Sequence, residues 1–349
     1  MGRLWRLLLS ACAAAGFGAA LPAQAASTAD GHKVLAFYYG WYGNKTVSGH
    51  WVHWKPNDGG QTADNIAGMP ADGLYDSHDP AEVARQVAEA RQAGIDAFVA
   101  TWWGPGDFTD KGMPVLLEAA RPTGLKATVL IEALHAKDDE GRHAEAVRDL
   151  LYIVRNYGSD PAWLHVGGKP VVFIYGRAEH DLSPDAWRQV LEDVRAQSPT
   201  GLVAIGAGYA QWLEAFDGGM NYSLTDKIHA MDLPRLQTFM RGYYGQLVET
   251  AHSEGKISAV MINPGFDDTH TGRPPPRPVL ERRDGQTYAA LWQATIQSGA
   301  DWAVVASFNE WHEGSGIEPS AAYGDAYLRE TKVWADRFKG TGGPGRPAP

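Results

Sequence analysis

One pattern runs the length of this chain: a short apolar run, then a segment with helical periodicity, repeated eight times. The strand candidates are Val34–Tyr39, Ala97–Trp102, Ala127–Ile131, Val171–Tyr175, Leu202–Ala207, Met220–Ser223, Ser258–Asn263 and Trp302–Phe308. The helix candidates are Pro80–Ala93, Val115–Arg121, Ala144–Tyr157, Asp185–Gln197, Ala210–Phe216, Leu236–Ser253, Tyr288–Gln297 and Ala326–Phe338. Ser77-His78-Asp79-Pro80 has the chemistry of a helix start, and Gly94 that of a helix stop. Eight such pairs predict an α/β fold, a single (β/α)₈ TIM barrel with long βα loops. A doubly wound open sheet would carry a glycine-rich phosphate turn after its first strand, and Gly40-Trp41-Tyr42-Gly43 is not one.

The ends of the chain read differently. Arg3 and Arg6 precede an apolar, alanine-rich run from Leu7 to Leu21, and Ala23-Gln24-Ala25 fits a cleavage site. Residues 1–25 are therefore expected to be a signal peptide, and the protein periplasmic or extracellular. The alternative is a lipid anchor at Cys12, in Leu9-Ser10-Ala11-Cys12; only about five apolar residues lie between Arg6 and Cys12, short of the usual 7–15. No linker divides residues 26–339, which form one expected catalytic domain, and Gly340 to Pro349 reads as a disordered tail. The only cysteine of the sequence lies in the signal, which rules out thiol catalysis and cysteine-ligated zinc in the processed chain. Without Arg3 and Arg6 there are 29 basic against 41 acidic residues, a net of −12. That balance argues against nucleic acid or an anionic membrane as partner, and no segment of the processed chain is suited to spanning a bilayer. A monomer is the expected state.

In a barrel, the residues just past each strand share one face, where sites are built. Here they are Tyr38, Tyr39, Trp41 and Tyr42, then His50, Trp51, His53, Trp54, Tyr75 and His78 in a long first loop. Trp102, Trp103, Glu132, His135, Tyr175, Arg177 and Tyr222 follow at later strands. Aromatic rings suit the C–H faces of sugars, and the polar groups suit their hydroxyls. Any one ring could equally pack beneath a loop; the clustering of the set is what favours a glycan site. The expected substrate contacts are Tyr38, Tyr39, Trp51, His53, His78, Trp102, Trp103, Glu132, Tyr175, Tyr222, Trp311 and His312.

The last apolar run ends in Asn309-Glu310-Trp311-His312-Glu313-Gly314. Two carboxyl groups, an imidazole and an indole at a barrel mouth predict a sugar-cleaving site, with Glu310 and Glu313 as its catalytic pair. In a straight strand an offset of three points the two side chains to opposite faces, so they converge only if the chain leaves strand geometry near Trp311–His312. Gly314 and Gly316 allow that. Glu318 reads as a supporting residue. His312-Glu313 is not HExxH, and no G-x-S-x-G elbow occurs, so zinc-peptidase and serine-hydrolase readings lack support. Asp267-Asp268 with His270 could bind a cation, but a turn of solvated acids is the commoner outcome. Arg273-Pro274-Pro275-Pro276-Arg277-Pro278 reads as a loop wall. No metal and no cofactor are expected.

These motifs together resemble glycoside hydrolase family 99, the endo-α-1,2-mannosidases and endo-α-1,2-mannanases. The resemblance rests on Asn309 to Gly314 with Ile317-Glu318-Pro319, and on Tyr39 to Asn44, Trp51-Val52-His53-Trp54, Tyr75 to Pro80, Trp102-Trp103-Gly104, Ile131-Glu132, Gly168 to Val171 and Pro264 to Thr269. It implies a metal-free (β/α)₈ enzyme that retains anomeric configuration, in which the mannose 2-hydroxyl attacks its own anomeric carbon to form a 1,2-anhydro sugar. Carried over by motif, Glu310 is the base toward the 2-hydroxyl, and Glu313 the acid for the leaving oxygen and then the base for water. The family pattern would have Glu-Pro-Tyr where this chain has Glu132-Ala133-Leu134, which puts a sugar subsite in question. The substrate expected is mannan or another α-mannose-containing glycan. Alternatives are a related glycosidase for another α-linked glycan, a non-catalytic glycan-binding barrel and a glycosyltransferase. The presence of both carboxyl groups weighs against the second, and the lack of a nucleotide-sugar cradle against the third.

Overall fold

The computed structural model describes residues 31–222 and 224–340. The expected signal peptide of residues 1–25, Cys12 within it, and residues 341–349 of the expected tail lie outside the described residues, as does Ser223.

Eight parallel strands close into a barrel: β1 (Lys33–Tyr38), β2 (Ala97–Trp102), β3 (Lys126–Ile131), β4 (Lys169–Ile174), β5 (Val203–Gly206), β6 (Gly218–Met220), β7 (Ile257–Ile262) and β8 (Trp302–Val305). Each pairs with its neighbours in chain order. The ring closes where β1 meets β8, with Lys33 opposite Trp302 and Ala36 opposite Val305. The expected (β/α)₈ barrel is the fold observed.

Side-chain alternation along the strands sorts the sequence into two cores. Leu35, Phe37, Val99, Leu130, Phe173, Ile205, Met261 and Val304 point inward and fill the barrel. Val34, Ala36, Phe98, Ala100, Val129, Val172, Val260 and Ala303 point outward, beneath the helices. Strands buried on both faces read as continuous apolar runs, which is why they were visible in the sequence.

The helical layer includes α1 (Pro80–Gln92), α2 (Phe108–Ala120), α3 (Asp139–Asn156), α4 (Pro184–Gln197), α5 (Leu233–Ser253), α6 (Gln286–Ser298) and α7 (Ala326–Phe338). Caps explain the starts. Asp79, Asp107, Asp138, Ser183 and Asp232 each accept a backbone N–H of the first turn. They also explain two expectations set too late. α2 begins at Phe108 rather than Val115, and α3 at Asp139 rather than Ala144, because Asp107 and Asp138 nucleate turns that hydrophobic periodicity does not register. Ala210–Ala215 is a 3₁₀ helix rather than an α-helix. β6 covers Gly218–Met220, where Met220–Ser223 was expected. Among the described residues no helix is long and apolar enough to cross a membrane.

Beyond the strand tops the loops are long. Residues 39–79, between β1 and α1, carry a small hairpin pairing Pro56–Asn57 with Thr62–Ala63. Tyr42 stacks on Trp54 at 3.9 Å between ring centroids, and Trp54 Nε1–H donates to the Tyr75 carbonyl at 2.8 Å. This apolar knot presses the loop onto the barrel mouth.

Candidate active site

β8 ends at Val305, three residues earlier than expected, and the chain then turns instead of continuing as strand. Asn309 pins this turn to β1. Its Oδ1 accepts the Tyr39 N–H at 2.7 Å, and its Nδ2–H₂ donates to the Tyr39 carbonyl at 3.1 Å and the Tyr75 hydroxyl at 3.0 Å. Ser307 Oγ accepts the Glu310 N–H at 2.7 Å. Trp311 is buried, its N–H donating to Tyr42 Oη at 3.1 Å and its Nε1–H to Tyr75 Oη at 3.1 Å and Glu318 Oε2 at 3.2 Å. Gly314 closes the turn at φ +56°, a conformation that favours glycine. Departure from strand geometry brings Glu310 and Glu313 to one cavity of about 680 Å³ at the barrel mouth.

Glu310 is buried at the cavity floor. Its Oε1 accepts from the His312 N–H at 2.9 Å and the Tyr42 hydroxyl at 3.5 Å, and lies 3.0 Å from His312 Nδ1. His312 Nε2–H donates to the His53 carbonyl at 3.2 Å. Burial opposes charge on this imidazole, but the Glu310 hydrogen bond and charge outweigh it and raise the His312 pKa. Both ring nitrogens face acceptors, which an imidazolium satisfies. His53 itself stacks on Trp41 at 4.3 Å, and burial, with the His312 charge beside it, lowers its pKa to about 4.

Glu313 stands across the cavity. Burial first and the charge of Glu310 second push its pKa up to about 7, against the opposing pull of Arg273, whose Nη2 lies 2.6 Å from Oε1. Arg273 is itself held by buried Asp268, Nη1 to Oδ1 at 2.9 Å. Glu132, at the top of β3, is also shifted to about 7, chiefly by burial. The Thr101 hydroxyl, donating at 2.6 Å, and the Arg177 charge pull it the other way.

Of the expected contacts, Tyr39, Trp51, His53, Trp103, Glu132, Tyr175, Tyr222 and His312 line this cavity together with the two carboxyl groups. Tyr39 and Tyr222 hydroxyls lie 3.3 Å apart. Arg177 covers the Trp103 ring at 5.2 Å and the Tyr175 ring at 5.5 Å. Gly60, at φ +97°, lets the hairpin seat Trp51; a Cβ there would meet that indole at 2.9 Å.

Four expectations are corrected. Tyr38 points outward from β1, stacks on Phe98 and donates its hydroxyl to Gln86 Oε1 at 2.6 Å. Trp102 also points outward, its Nε1–H donating to buried Asp110 at 2.9 Å. His78 lies flat on Phe108 and contacts its carbonyl through Nε2 at 2.9 Å. Trp311 packs beneath the turn rather than into the cavity. For Tyr38 and Trp102 the reason is strand parity: one residue of offset exchanges the cavity for the helix layer. Trp41, His50, Val52, Lys55, Asn65, Arg177, Thr271 and Arg273 complete the lining. Lys55, Asn65, Thr271 and Arg273 sit mid-loop, where no periodicity points to them. Ala133 and Leu134, the departure from the family pattern, are not among the lining residues, and Leu134 is buried in the outer core. Asp267 caps Thr269 and Asp268 pairs with Arg273; among the described residues no cluster of His, Cys, Asp or Glu is arranged to hold a metal.

The fold has solved counterparts. A family 99 endo-α-mannosidase from Bacteroides thetaiotaomicron superposes with a TM-score of 0.74 at 25% identity, over 88% of this chain and 98% of that one. The glycoprotein endo-alpha-1,2-mannosidase of Rattus norvegicus is 25% identical over 87% of this chain and 74% of its own length. The glycoprotein endo-alpha-1,2-mannosidase-like protein of Homo sapiens is 26% identical over 87% and 75%. The profile that matches is that of glycosyl hydrolase family 99, and it spans residues 29–339, from before β1 to beyond α7. With both carboxyl groups on one cavity and the match running through the whole barrel, the chain belongs to glycosyl hydrolase family 99 and is a glycoside hydrolase.

Proposed function

We propose that this protein is an exported, monomeric, endo-acting α-mannosidase that cleaves α-1,2-mannosidic linkages in mannan or another mannose-containing glycan, with retention. The observation that carries the reading is the pair of carboxyl groups on one cavity. Glu310 accepts hydrogen bonds from His312 and Tyr42, while Glu313 is held near neutrality by burial and by the charge of Glu310. Environments that differ around two carboxyl groups suit one to act as base and the other as acid. The activities named for the rat and Bacteroides relatives supply the substrate class. The sequence of residues 1–25 supplies the export assignment.

In the first step Glu310 takes the proton of the 2-hydroxyl as O2 attacks C1. The C1–O glycosidic bond breaks, and Glu313 delivers its proton to the leaving oxygen. In the second step water attacks C1 of the 1,2-anhydro sugar and the C1–O2 bond breaks, opening the three-membered ring. Glu313 takes the water proton, and Glu310 returns its own to O2. Each carboxyl group ends as it began. Tyr39, Trp103, Tyr175 and Tyr222 offer rings and hydroxyls to the sugars, and His312 holds Glu310 in place.

The test is incubation with an α-1,2-branched mannan, with the reducing-end anomer followed by NMR in the first minutes. Release of short oligosaccharides appearing first as the α-anomer is the expected outcome. First appearance as the β-anomer overturns the 1,2-anhydro route, and so does full activity on a substrate whose reacting mannose lacks the 2-hydroxyl. No release at all overturns the assignment of mannan as the substrate.

A further inference from the structure

Arg273 belongs to a proline-rich stretch that reads in sequence as a mere loop wall, yet its guanidinium reaches the cavity and meets Glu313. The contact is built rather than incidental. Asp268, buried at the loop base, fixes Nη1 at 2.9 Å and accepts the Thr271 hydroxyl at 2.6 Å. Nη2 is thereby aimed at Glu313 Oε1, 2.6 Å away. From the other side, the Asp267 N–H donates to the Glu313 carbonyl at 2.7 Å, tying the two loops together.

We propose that Arg273 is the positioning residue for Glu313: anchored by Asp268, its guanidinium occupies Oε1, so that Oε2 is the oxygen that carries the proton to the leaving oxygen and takes it back from water. This rests on the acid–base role given to Glu313 above. A guanidinium presents only donors, so a proton on Oε1 would oppose one; the neutral carboxyl group therefore carries its proton on Oε2. The same contact adjusts how readily the proton leaves. The groups facing Glu313 are Arg273, Glu310 and Asp268, with His312 and the hydroxyls of Tyr39, Tyr175 and Tyr222 around them. Burial, Glu310 and Asp268 all raise its pKa, and Arg273 is the cation that lowers it. Without that cation the group would remain an acid but give up its proton too reluctantly to serve as base for water. The Arg273 side chain is 53% exposed, so solvent screens the effect to the small end of the range for such pairs.

The experiment compares the wild type with R273A and R273K. Carbon-13 NMR titration of the Glu313 carboxyl group, assigned with E313Q, is run without substrate. In R273A the midpoint is expected to rise by about one pH unit, as removal of a neighbouring opposite charge predicts, with R273K lying between R273A and wild type. The alkaline limb of kcat/KM should rise with it, while kcat at the optimum falls about tenfold and KM stays within about twofold. An unmoved midpoint in folded R273A overturns the proposal. So does a rise in KM with unchanged kcat, which would make Arg273 a sugar contact. The titration needs no substrate, so it reads Arg273 even if mannan proves to be the wrong glycan.

Discussion

Two carboxyl groups of this barrel, Glu313 and Glu318, each have a pKa pushed up to about 7, and each is paired with an arginine, yet only Glu313 of the two lines the cavity. Glu318 is 3% exposed. It is closed in by Arg85 at 2.9 Å, Gln86 at 2.8 Å, Tyr75 at 3.0 Å and Trp311 at 3.2 Å. Arg85 is shared with Glu82, Glu89 and Asp72 on the outer surface. Glu313 has the same shift and the same kind of partner, but it opens on the cavity. A raised pKa therefore marks burial near other acids; access to a substrate marks the acid. Glu318 braces the turn that presents Glu310 and Glu313 and is not among the residues that line the cavity.

The comparison is broken most directly by removing the acids in the cavity. Glu313→Gln and Glu310→Gln should each lower kcat by about 10³-fold or more, with thermal unfolding near that of wild type. The reverse is expected beneath the turn. Glu318→Ala leaves Gln86, Tyr75 and Trp311 without their shared acceptor and strands part of the Arg85 charge. A loss of about 3–5 kcal/mol in chemical denaturation follows. The folded fraction should keep activity within about tenfold, and the milder Glu318→Gln should lie between. A folded, inactive Glu318→Gln would move Glu318 into the chemistry and end the contrast.

Such a contrast is only half visible in the sequence. The barrel was legible because seven of its strands read as apolar runs, while β6, Gly218-Gly219-Met220, offers a single apolar side chain and was expected two residues late. The turn was legible because Asn309 to Gly314 places polar chemistry where packing needs none. The cavity lining was legible in part. Tyr39, Glu132, Tyr175 and Tyr222 each lie two residues past an inward-pointing strand residue: Phe37, Leu130, Phe173 and Met220. That parity was open to use, and would have set Tyr38 and Trp102 aside. Arg273 was out of reach. Its place depends on how the segment after Asn263 folds back over the mouth, a path fixed by long-range contacts: Asp268 beneath it, the Asp267 bond to Glu313, and the pairing of Phe266–Asp267 with Val279–Leu280.

pH separates the two carboxyl groups more finely. Each is raised from an ordinary value of 4.5 in the unfolded chain to about 7, so the folded state binds more protons between those values. Stability therefore falls as pH rises through that window, and the stabilising contribution of the neutral form is complete below about 4.5. Glu132 adds a third group with the same sign. The unfolding free energy should thus decline from about pH 5 toward pH 8. Glu318→Gln, which stays neutral, should flatten the slope without moving the pH–rate profile. In wild type, kcat/KM should fall above about pH 7 as Glu313 loses its proton, an inflection that Glu318→Gln leaves in place.

The smallest effects test the parity that separates cavity from scaffold, in adjacent residues of one strand top. Tyr39 and Tyr38 are both buried, both phenols, and both have pKa values raised well above the ordinary value by burial. Tyr39 faces inward, its hydroxyl beside that of Tyr222 in the cavity; Tyr38 faces outward, its hydroxyl bonded to Gln86. Tyr39→Phe removes a hydroxyl from the sugar-facing wall and should change kcat/KM by about tenfold, or 1.4 kcal/mol, with little change in stability. Tyr38→Phe leaves Gln86 Oε1 without its donor and should lower stability by about 1–2 kcal/mol, with kcat/KM unchanged. Gln86 also donates to Glu318, so a change in kcat/KM for Tyr38→Phe would mean that the scaffold beneath the turn reaches the chemistry after all. Equal effects from the two phenylalanine variants would show that strand parity does not divide this barrel mouth into a working face and a supporting one.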